Sequence, residues 1–558
     1  MSQKNAEPWV EGLTIGQALA QTVERYGDRD AAVFDADGIH WSYREFDRQV
    51  YEAAKGLIAM GIERGDHVAI WATNVPQWLV LQFATARIGA VLVTINPAYR
   101  PFELKYVLAQ SDVKALFLID QFKSSDYFAM LASVCPEMVH AIPGELHAKE
   151  FPKLRWVIGL RGRTPTGSMT WNDMLERGRE IDVADLRDAE KLPKPTEPIN
   201  IQYTSGTTGF PKAAMLTHRN LLLNAFYVGS RQRMSHEDRI CIPVPFYHCF
   251  GCVMGTLCAA VYGAAMIIPA ESFDPQATLR AIEKHKATVI YGVPTMFIAQ
   301  LQHEEFKQRE LSTLRTGIMA GSPCPIEIMR QVVNQMGASE VTIAYGQTEA
   351  SPVVTQTAFD DPLELRVESV GKPLPGVEVK VIDPQTGEDL GDDQQGELCT
   401  RGHVVMCGYY NDEEATAQAI DQDGWLHTGD LAVRLSNGYY RITGRIKDMV
   451  IRGGENIYPR EIEEFLFTHE AIEQAAVVGV PDPKFVEELC AWVKLKTGAT
   501  ATEEGIREFC HSGLAHYKVP RYVRLVNEFP QTITGKIQKF KIREQMIDEL
   551  GLTESETA

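Results

Sequence analysis

The chain has 558 residues and a formal net charge of −19, with 45% hydrophobic and 23% charged residues. This length corresponds to about three to five domain-sized units, and the composition excludes disordered, collagen-like and disulfide-scaffold proteins. The acidity argues against a general nucleic-acid binder, which needs a basic surface to neutralise phosphates.

The first part of the chain alternates predicted helices and strands. Ser42 and Glu45 form a capping box ahead of an apolar helical face. A buried strand, a helix that begins with proline and a second buried strand follow, at 67–71, 76–90 and 91–95. This order predicts a parallel sheet covered by helices.

An uncharged stretch at 250–270 is long enough to cross a bilayer. Gly263 interrupts it, Pro269 ends it, and its second half has the composition of a buried strand. We therefore favour a core helix followed by a strand over a membrane span.

The strand and helix alternation resumes with a helix from Asp274 to about Lys286 and strands at 287–291 and 341–346. Asn437-Gly438 lies between two extended runs and predicts a hairpin. An α+β pattern follows, with elements at 459 onward, 475–480, 490–496, 503–513 and 521–525. The expected fold class is α/β. A large amino-terminal domain (1–445) of parallel sheets covered by helices, with a small β-barrel-like part, precedes a smaller mobile α+β domain (446–558).

Ten cysteines are scattered along the chain, and its first twelve residues contain no apolar run. We expect a reduced, cytoplasmic protein with free thiols. Cys249 and Cys252 have redox or zinc spacing and adjoin His248, but no second CxxC or HxxxH lies nearby. Packing of small buried side chains is the preferred interpretation.

One segment combines glycines, hydroxyls and a lysine: YTSGTTGFPK at 203–212. Glycines allow close approach of the backbone, amides and hydroxyls donate to phosphate oxygens, and lysine adds charge. The segment lacks the Walker pattern, because Pro211 precedes Lys212 and Ala213 follows it. We interpret it as a phosphate-binding loop rather than an ordinary polar loop.

This segment resembles the phosphate-binding motif of the adenylate-forming (AMP-binding) superfamily, which includes acyl-CoA synthetases, peptide-synthetase adenylation domains and firefly luciferase. Further motifs follow in the family's order, namely YGQTE (345–349), DGWLHTGD (423–430), GRIKD (444–448) and TGK (534–536). The resemblance covers essentially the whole chain. It implies that a carboxylate attacks the α-phosphate of ATP to give acyl-AMP and pyrophosphate, and that a thiol then displaces AMP.

The resemblance also implies the site residues. The expected catalytic residues are Lys536, His248 and Glu349, and Thr207 and Glu349 are the expected Mg²⁺ ligands. ATP and AMP binding is assigned to Thr204, Ser205, Gly206, Thr207, Thr208, Gly209, Lys212, Gly321, Ser322, Tyr345, Gly346, Gln347, Thr348, Asp430 and Arg445. Lys447, Gly453 and Gly454 are the expected hinge and CoA-tunnel residues.

Within that assignment, Tyr345 contacts adenine, Asp430 accepts hydrogen bonds from both ribose hydroxyls, and Lys536 reaches the carboxylate and α-phosphate. His248 is either the family's mobile aromatic gate at the acyl pocket or a satisfied core residue. The chain has Ile451 where luciferase and some other relatives have lysine, and this favours transfer to a thiol over a luciferase-like reaction.

The expected function is an AMP-forming acyl-CoA synthetase, most similar to the medium-chain fatty acyl-CoA synthetases, with Mg²⁺ as cofactor and ATP and CoA as co-substrates. The alternatives are another acid class (branched, aromatic or long-chain), loading of a separate acyl carrier protein, or a non-catalytic nucleotide sensor. The expected partners are a small carboxylic acid, ATP and CoA. We expect no nucleic acid and no transmembrane segment, with peripheral membrane contact and a homodimer left open.

Overall fold

The computed structural model describes residues 8–204, 211–322, 324–452, 455–532 and 536–552. The α-helices in these ranges are α1 Ile15–Tyr26, α2 Tyr43–Ala59, α3 Pro76–Ile88, α4 Pro101–Gln110, α5 Tyr127–Val134, α6 Trp171–Gly178, α7 Val183–Ala189, α8 His218–Arg231, α9 Cys258–Tyr262, α10 Pro275–His285, α11 Pro294–Gln302, α12 Ile326–Gln335, α13 Leu363–Glu368, α14 Glu413–Ala419, α15 Pro459–Phe467, α16 Glu503–Gly513 and α17 Lys539–Leu550.

The strands in the same ranges are β1 Asp30–Phe34, β2 Ile39–Ser42, β3 His67–Trp71, β4 Val91–Ile95, β5 Val113–Leu118, β6 Gln121–Phe122, β7 Ser125–Asp126, β8 Trp156–Gly159, β9 Met169–Thr170, β10 Pro198–Thr204, β11 Lys212–Thr217, β12 Arg239–Cys241, β13 Ala265–Ile268, β14 Val289–Gly292, β15 Thr316–Ala320, β16 Glu340–Gly346, β17 Val353–Gln356, β18 Lys372–Pro373, β19 Val377–Ile382, β20 Gln395–Gly402, β21 Gly408–Tyr409, β22 Leu426–Arg434, β23 Tyr440–Arg445, β24 Val450–Arg452, β25 Glu455–Ile457, β26 Ile472–Asp482, β27 Val486–Leu495 and β28 Tyr522–Leu525.

Two large sheets organise the first part of the chain. One has the order β18-β17-β16-β15-β14-β12-β13-β1-β2, and the other has the order β21-β11-β10-β4-β3-β5-β8-β9. The central strands of both sheets pair in parallel, and antiparallel strands occur toward the sheet edges. The predicted α/β architecture with helix-covered parallel sheets is confirmed.

The predicted helix start at Ser42 is present with its full capping box. The Ser42 hydroxyl accepts from the Glu45 amide, and the Glu45 carboxylate accepts from the Ser42 amide. The apolar face of α2, which includes Phe46, Val50 and Leu57, is fully buried. The sequence pattern therefore fixes both the start of this helix and the face that it buries.

The uncharged stretch is a π-helix at Phe250–Leu257, followed by α9 and the buried strand β13. The interpretation as a core helix and strand is confirmed. Across the described ranges, no helix is both long and apolar enough to span a membrane.

The region after the large sheets contains two smaller sheets. The part expected to resemble a β-barrel is a four-stranded antiparallel sheet of order β19-β20-β22-β23, and β22 and β23 flank the predicted Asn437-Gly438 turn. The last sheet has the order β25-β24-β27-β26, and β28 pairs with β27 in parallel. Helices α15 and α16 contribute to the core on one face, and α17 contributes to a separate core with β26.

Val486 is the first residue of β27 and has a φ of +73°. A β-branched residue at positive φ carries backbone strain of about 1–3 kcal/mol, and this side chain is 50% exposed, so its removal costs little burial. We expect Val486→Gly to raise the unfolding midpoint, with a gain of about 1 kcal/mol. The measurement is thermal unfolding followed by circular dichroism.

The matched control for this substitution is Val486→Ala, which removes the branched side chain but keeps the Cβ that makes positive φ unfavourable. We expect no comparable stabilisation from alanine. A glycine variant that is no more stable than the alanine variant would contradict the interpretation of Val486 as strained.

Candidate active site

Several predicted site residues lie where neighbouring parallel strands end. Gly321 directly follows β15, and Tyr345 and Gly346 end the adjacent strand β16. In open α/β sheets, ligands bind outside the carboxyl ends of the strands. Gly321 has a φ of +91°, which favours glycine, and a Cβ there would lie 3.1 Å from Cγ1 of Val293.

The chain turns back tightly after β16. A Cβ on Gly346 would lie 1.8 Å from the Pro352 carbonyl oxygen, so only glycine fits without backbone movement. The same oxygen accepts a hydrogen bond of 2.9 Å from the Gln347 amide. This turn leads into a 3₁₀ segment, Thr348–Ala350, which places Glu349 beside the strand end. Ser322, on the neighbouring loop, accepts a weak hydrogen bond at its carbonyl from Cys324 Sγ at 3.5 Å.

Glu349 faces the stems of the predicted phosphate loop. Its Oε1 accepts hydrogen bonds from Thr204 Oγ1 at 3.1 Å and from the Tyr409 hydroxyl at 2.9 Å. Thr204 ends β10 and pairs across the sheet with Lys212, which begins β11. The Lys212 ammonium lies 5.1 Å from the centre of the Tyr409 ring. One stem therefore contacts the Glu349 carboxylate through Thr204, and the other approaches Tyr409, the second hydrogen-bond partner of that carboxylate, through Lys212.

Part of the predicted site lies outside the described residues. This holds for Ser205, Gly206, Thr207, Thr208 and Gly209 in the loop between Thr204 and Lys212, and for Gly453 and Gly454 in the predicted hinge and tunnel segment.

Asp430 is the centre of a second group. It is buried, and its carboxylate accepts from the Tyr345 hydroxyl at 2.7 Å and from Arg445 Nε at 2.8 Å. Asp430 on β22 and Arg445 on β23 are direct cross-strand partners. The carboxylate raises the pKa of Arg445, and burial together with Asp430 raises the pKa of Tyr345. At neutral pH Arg445 is therefore charged and the Tyr345 phenol is neutral.

Lys536 carries its charge next to this group. Burial, as the main cause, and the nearby Arg445 guanidinium lower the pKa of Lys536 to about 8, with Asp430 opposing the shift. Lys447 has a lowered pKa for the same two reasons, burial and Arg445. The Lys536 backbone is held by a 3.1 Å hydrogen bond from its amide to Thr532 Oγ1. Three cations therefore face the region of Asp430.

His248 lies just before the π-helix. Its Nδ1 accepts a hydrogen bond of 3.1 Å from the Phe250 amide, and its carbonyl accepts from the Gly251 and Cys252 amides. Burial lowers the pKa of His248 to about 4, and the positive charge of Lys536 contributes. The imidazole is therefore neutral at physiological pH and lies close enough to Lys536 to experience its charge.

Cys249 and Cys252 both hydrogen-bond to the side-chain amide of Gln202. Cys249 Sγ donates to Gln202 Oε1 at 3.0 Å, and Gln202 Nε2 donates to Cys252 Sγ at 3.1 Å. Burial raises the pKa of Cys252 to about 12 and that of Cys249 well above its usual value. Protonated, hydrogen-bonded thiols are poor metal ligands, which supports the interpretation as buried packing residues.

Sequence reasoning missed three side chains around the predicted residues: Tyr409, Glu397 and His427. Tyr409 is 60 residues from Glu349 in sequence and meets it because the edge strand β21 pairs with β11. Glu397 and His427 hydrogen-bond to each other beside Asp430. His427 lies within a motif that was recognised, whereas nothing in the sequence pattern indicates that β20 brings Glu397 to it.

The fold and these clusters define a class of protein: a nucleotide-binding α/β enzyme that gathers carboxylates and lysines from distant motifs at the carboxyl edge of a parallel sheet. Comparison with known families makes the class specific. A model of the AMP-binding enzyme family matches residues 19–410, and one of the AMP-binding enzyme C-terminal domain matches residues 461–536. The chain belongs to the AMP-binding enzyme family.

Individual relatives extend over nearly the whole chain. YngI of Bacillus subtilis (strain 168) is 51% identical over 97% of this chain and 99% of its own length. The mitochondrial medium-chain acyl-CoA ligase ACSF2 of Danio rerio is 46% identical over 97% of this chain and 90% of its own length. The ATP-bound structure of MatB from Rhodopseudomonas palustris has a TM-score of 0.80, is 29% identical, and covers 96% of this chain and 100% of its own.

Proposed function

We propose that this chain is an AMP-forming, medium-chain acyl-CoA synthetase that acts in fatty acid metabolism. The observation that carries the proposal is the convergence of Lys536 with Asp430, Arg445 and Tyr345. The lysine comes from the last strand-to-helix connection, Tyr345 from a large sheet, and Asp430 and Arg445 from the four-stranded antiparallel sheet. A carboxylate for ribose and a cation for the reacting centre are what adenylation of an acid requires.

In the first step, a carboxylate oxygen of the acid attacks the α-phosphorus of ATP, and the bond from that phosphorus to the bridging oxygen of pyrophosphate breaks. We assign ribose binding to the Asp430 carboxylate, which Arg445 and Tyr345 hold in place. Lys536 supplies positive charge to the carboxylate and α-phosphate, and Lys212 supplies it near the phosphate loop. Tyr345 lines the adenine side, with Gly321, Ser322, Gly346, Gln347 and Thr348 around the strand ends.

Mg²⁺ fits the oxygen atoms at Glu349. Its carboxylate lies 3.1 Å from the Thr204 hydroxyl, and carboxylate and hydroxyl oxygens are the hard ligands that this ion prefers. We assign the ion to Glu349 and Thr207. When bound, it would neutralise phosphate charge during pyrophosphate departure. Tyr409 and Thr204 donate to Oε1 and so orient the carboxylate.

In the second step, the CoA thiol sulfur attacks the acyl carbon, and AMP leaves with the oxygen that joined it to the acyl group. We propose that His248 is the gate between the acyl pocket and the thiol channel, and that 1–445 and 446–558 are two domains that turn about Lys447. The separate apolar cores on the two sides of residue 446 support this division. Gly453 and Gly454 are the proposed tunnel residues.

The relationship to the ACSF2 ligase supports medium-chain acids as substrates. All ten cysteines lie within the described residues and are unpaired, which supports a reducing compartment such as the cytoplasm. The homodimer, the peripheral membrane contact and the absence of a nucleic-acid partner stay predictions.

The test is an AMP-release assay on the purified chain with CoA and a panel of straight-chain, branched and aromatic acids. A parallel reaction without CoA follows pyrophosphate. We expect the highest CoA-dependent rate with medium-chain straight acids such as octanoate. Pyrophosphate release without acyl-CoA would instead indicate another acceptor, such as a carrier protein, and no turnover of any acid would contradict the proposal.

The lowered pKa of Lys536 predicts a pH dependence. The side chain is charged below its pKa of about 8 and neutral above it. Because the proposed role needs the ammonium, kcat/KM for adenylation should fall as pH rises through about 8, since this ratio reports the free enzyme. Pyrophosphate release measured from about pH 6 to pH 10 would reveal the decline, whereas Lys536→Arg, which does not lose its proton in this range, should show none. A wild-type profile that stays flat above pH 9 would contradict the assignment.

A further inference from the structure

The backbone that carries Asp430 departs from regular strand pairing. Glu397 on β20 is opposite Leu431 on β22, and Cys399 is opposite His427, so one residue of β20 faces three residues of β22. These three are Thr428, Gly429 and Asp430. Bulges of this kind re-aim side chains and are frequent next to active sites.

The bulge has its own hydrogen bonds. The Thr428 hydroxyl donates to the Leu398 carbonyl at 2.6 Å and accepts from the Asp430 amide at 3.2 Å. Gly429 has a φ of +68°, which glycine adopts readily. Its amide points away from the strand ladder and donates to Glu397 Oε1 at 3.0 Å. The Glu397 carboxylate therefore takes the place of a missing backbone acceptor.

Glu397 is itself held by a histidine. Its Oε2 lies 3.0 Å from His427 Nδ1, and the carboxylate is buried. On the other side of the ring, His427 Nε2 lies 3.7 Å from Asp421 Oδ2. The two carboxylate oxygens of Glu397 thus bind the first and last residues of the segment 427–429, which immediately precedes Asp430.

We propose that Glu397 is a positioning residue for ribose recognition: its hydrogen bond to the Gly429 amide fixes the bulge that aims Asp430. This proposal rests on the proposed function, because it assigns the ribose hydroxyls to Asp430. Glu397 acts through the backbone and does not touch the nucleotide. Loss of the Glu397 side chain would leave the Gly429 amide without this acceptor and let the Asp430 carboxylate shift away from Arg445 and Tyr345. The ribose hydroxyls would then lack a well-placed acceptor.

The readout must report ribose recognition rather than general stability. We therefore compare kcat/KM for ATP with kcat/KM for 3′-deoxy-ATP and 2′-deoxy-ATP in acid-dependent pyrophosphate release, with octanoate as the acid. The wild type should prefer ATP, because each deoxy analogue lacks a hydroxyl that Asp430 accepts from. Loss of one charge-assisted hydrogen bond corresponds to about tenfold or more in this preference.

Glu397→Ala should lower kcat/KM for ATP about tenfold, mainly through KM, with little further loss for the deoxy analogues, so that the preference collapses. Glu397→Gln should retain most of the preference, since its amide oxygen still accepts from Gly429. Glu378→Ala is the matched control, because Glu378 lies on the neighbouring strand β19, is exposed and pairs with Arg401 away from the bulge. It should behave like the wild type.

Equal losses for ATP and both analogues in Glu397→Ala would overturn the proposal and leave a purely structural role. Asp430→Ala distinguishes failure of the ribose assignment from failure of the positioning role. If Asp430→Ala keeps the preference for ATP, the ribose assignment itself fails. If it abolishes the preference while Glu397→Ala and Glu397→Gln both keep it, only the positioning role fails.

A metal ion is the competing explanation for this cluster, since donor atoms of Glu397, Cys399 and His427 lie within 4.8 Å of one another. Burial raises the pKa of Cys399 to about 12, which disfavours the thiolate that a metal would need. Elemental analysis of the purified chain should find less than one zinc per chain, with the ATP preference unchanged after dialysis against EDTA. Stoichiometric zinc whose removal abolishes the preference would overturn the positioning role.

Discussion

Replacing Lys536 with alanine is expected to abolish acid-dependent pyrophosphate release while thiolysis of preformed acyl-AMP continues. Burial and Arg445 lower the pKa of Lys536 and Asp430 opposes the shift, so its ammonium lies within electrostatic range of both groups. A cation in such a place stabilises charge that develops in the transition state, and loss of one such contact lowers kcat by about 10²–10³-fold. The measurement is pyrophosphate release from octanoate and ATP, together with acyl-CoA formation from synthetic octanoyl-AMP and CoA.

Two controls make the Lys536 result interpretable. Lys541→Ala removes an exposed lysine five positions away, in α17, and should leave both steps unchanged. Lys536→Arg keeps a positive charge and should retain more adenylation than alanine does. Equal loss of both half-reactions in Lys536→Ala would contradict the role, because it would indicate damage to the shared nucleotide site or to the fold.

Much of the fold was predictable because local rules agree with the tertiary structure. The capping box at Ser42, the proline at the start of α3 and the Asn437-Gly438 turn each specify a boundary through backbone chemistry alone. The stretch at 250–270 was separable from a membrane span by Gly263 and Pro269. Sheet order was not predictable, because the pairing of β13 with β1, more than 200 residues apart, depends on packing of the whole core.

The site residues likewise divide into those that the sequence predicts and those that it does not. Residues in contiguous motifs, such as Tyr345, Asp430 and Arg445, were predicted, and the structure brings these three into hydrogen-bonding contact. Residues that reach the site through strand pairing, such as Tyr409 and Glu397, were not. Their identity depends on register: a bulge in β22 lets Glu397 meet the Gly429 amide, and one sequence does not encode register in a readable pattern.

The charges at the site explain why it suits a nucleoside triphosphate. Burial is the main cause of the lowered pKa values of Lys447 and Lys536, the positive charge of Arg445 contributes to both, and the carboxylates of Asp430 and Asp448 oppose the shift. Bringing three cations together is unfavourable unless an anion joins them. Binding of phosphate groups would relieve this repulsion, so the site of the free protein favours an anionic ligand.

Asp430→Ala is expected to lower kcat/KM for ATP by at least about 100-fold, or about 2.7 kcal/mol. The substitution removes the proposed ribose acceptor and also leaves Arg445 and Tyr345 without the partner that orients them. Removal of one member of a buried charged pair costs more than the pair contributes, since the other charge stays behind unpaired. Steady-state pyrophosphate release at varied ATP gives the value.

Three comparisons decide what the Asp430 effect means. Asp430→Asn keeps an oxygen that can accept from Arg445 and should lose less activity than alanine. Tyr345→Phe removes only the hydroxyl that donates to Asp430 and should cost about tenfold or less. Asp423→Ala removes an exposed carboxylate of the same segment and should have no effect. If folded Asp430→Ala keeps kcat/KM for ATP within a few-fold of the wild-type value, the carboxylate does not bind the nucleotide, and the cross-strand pair with Arg445 serves the sheet alone.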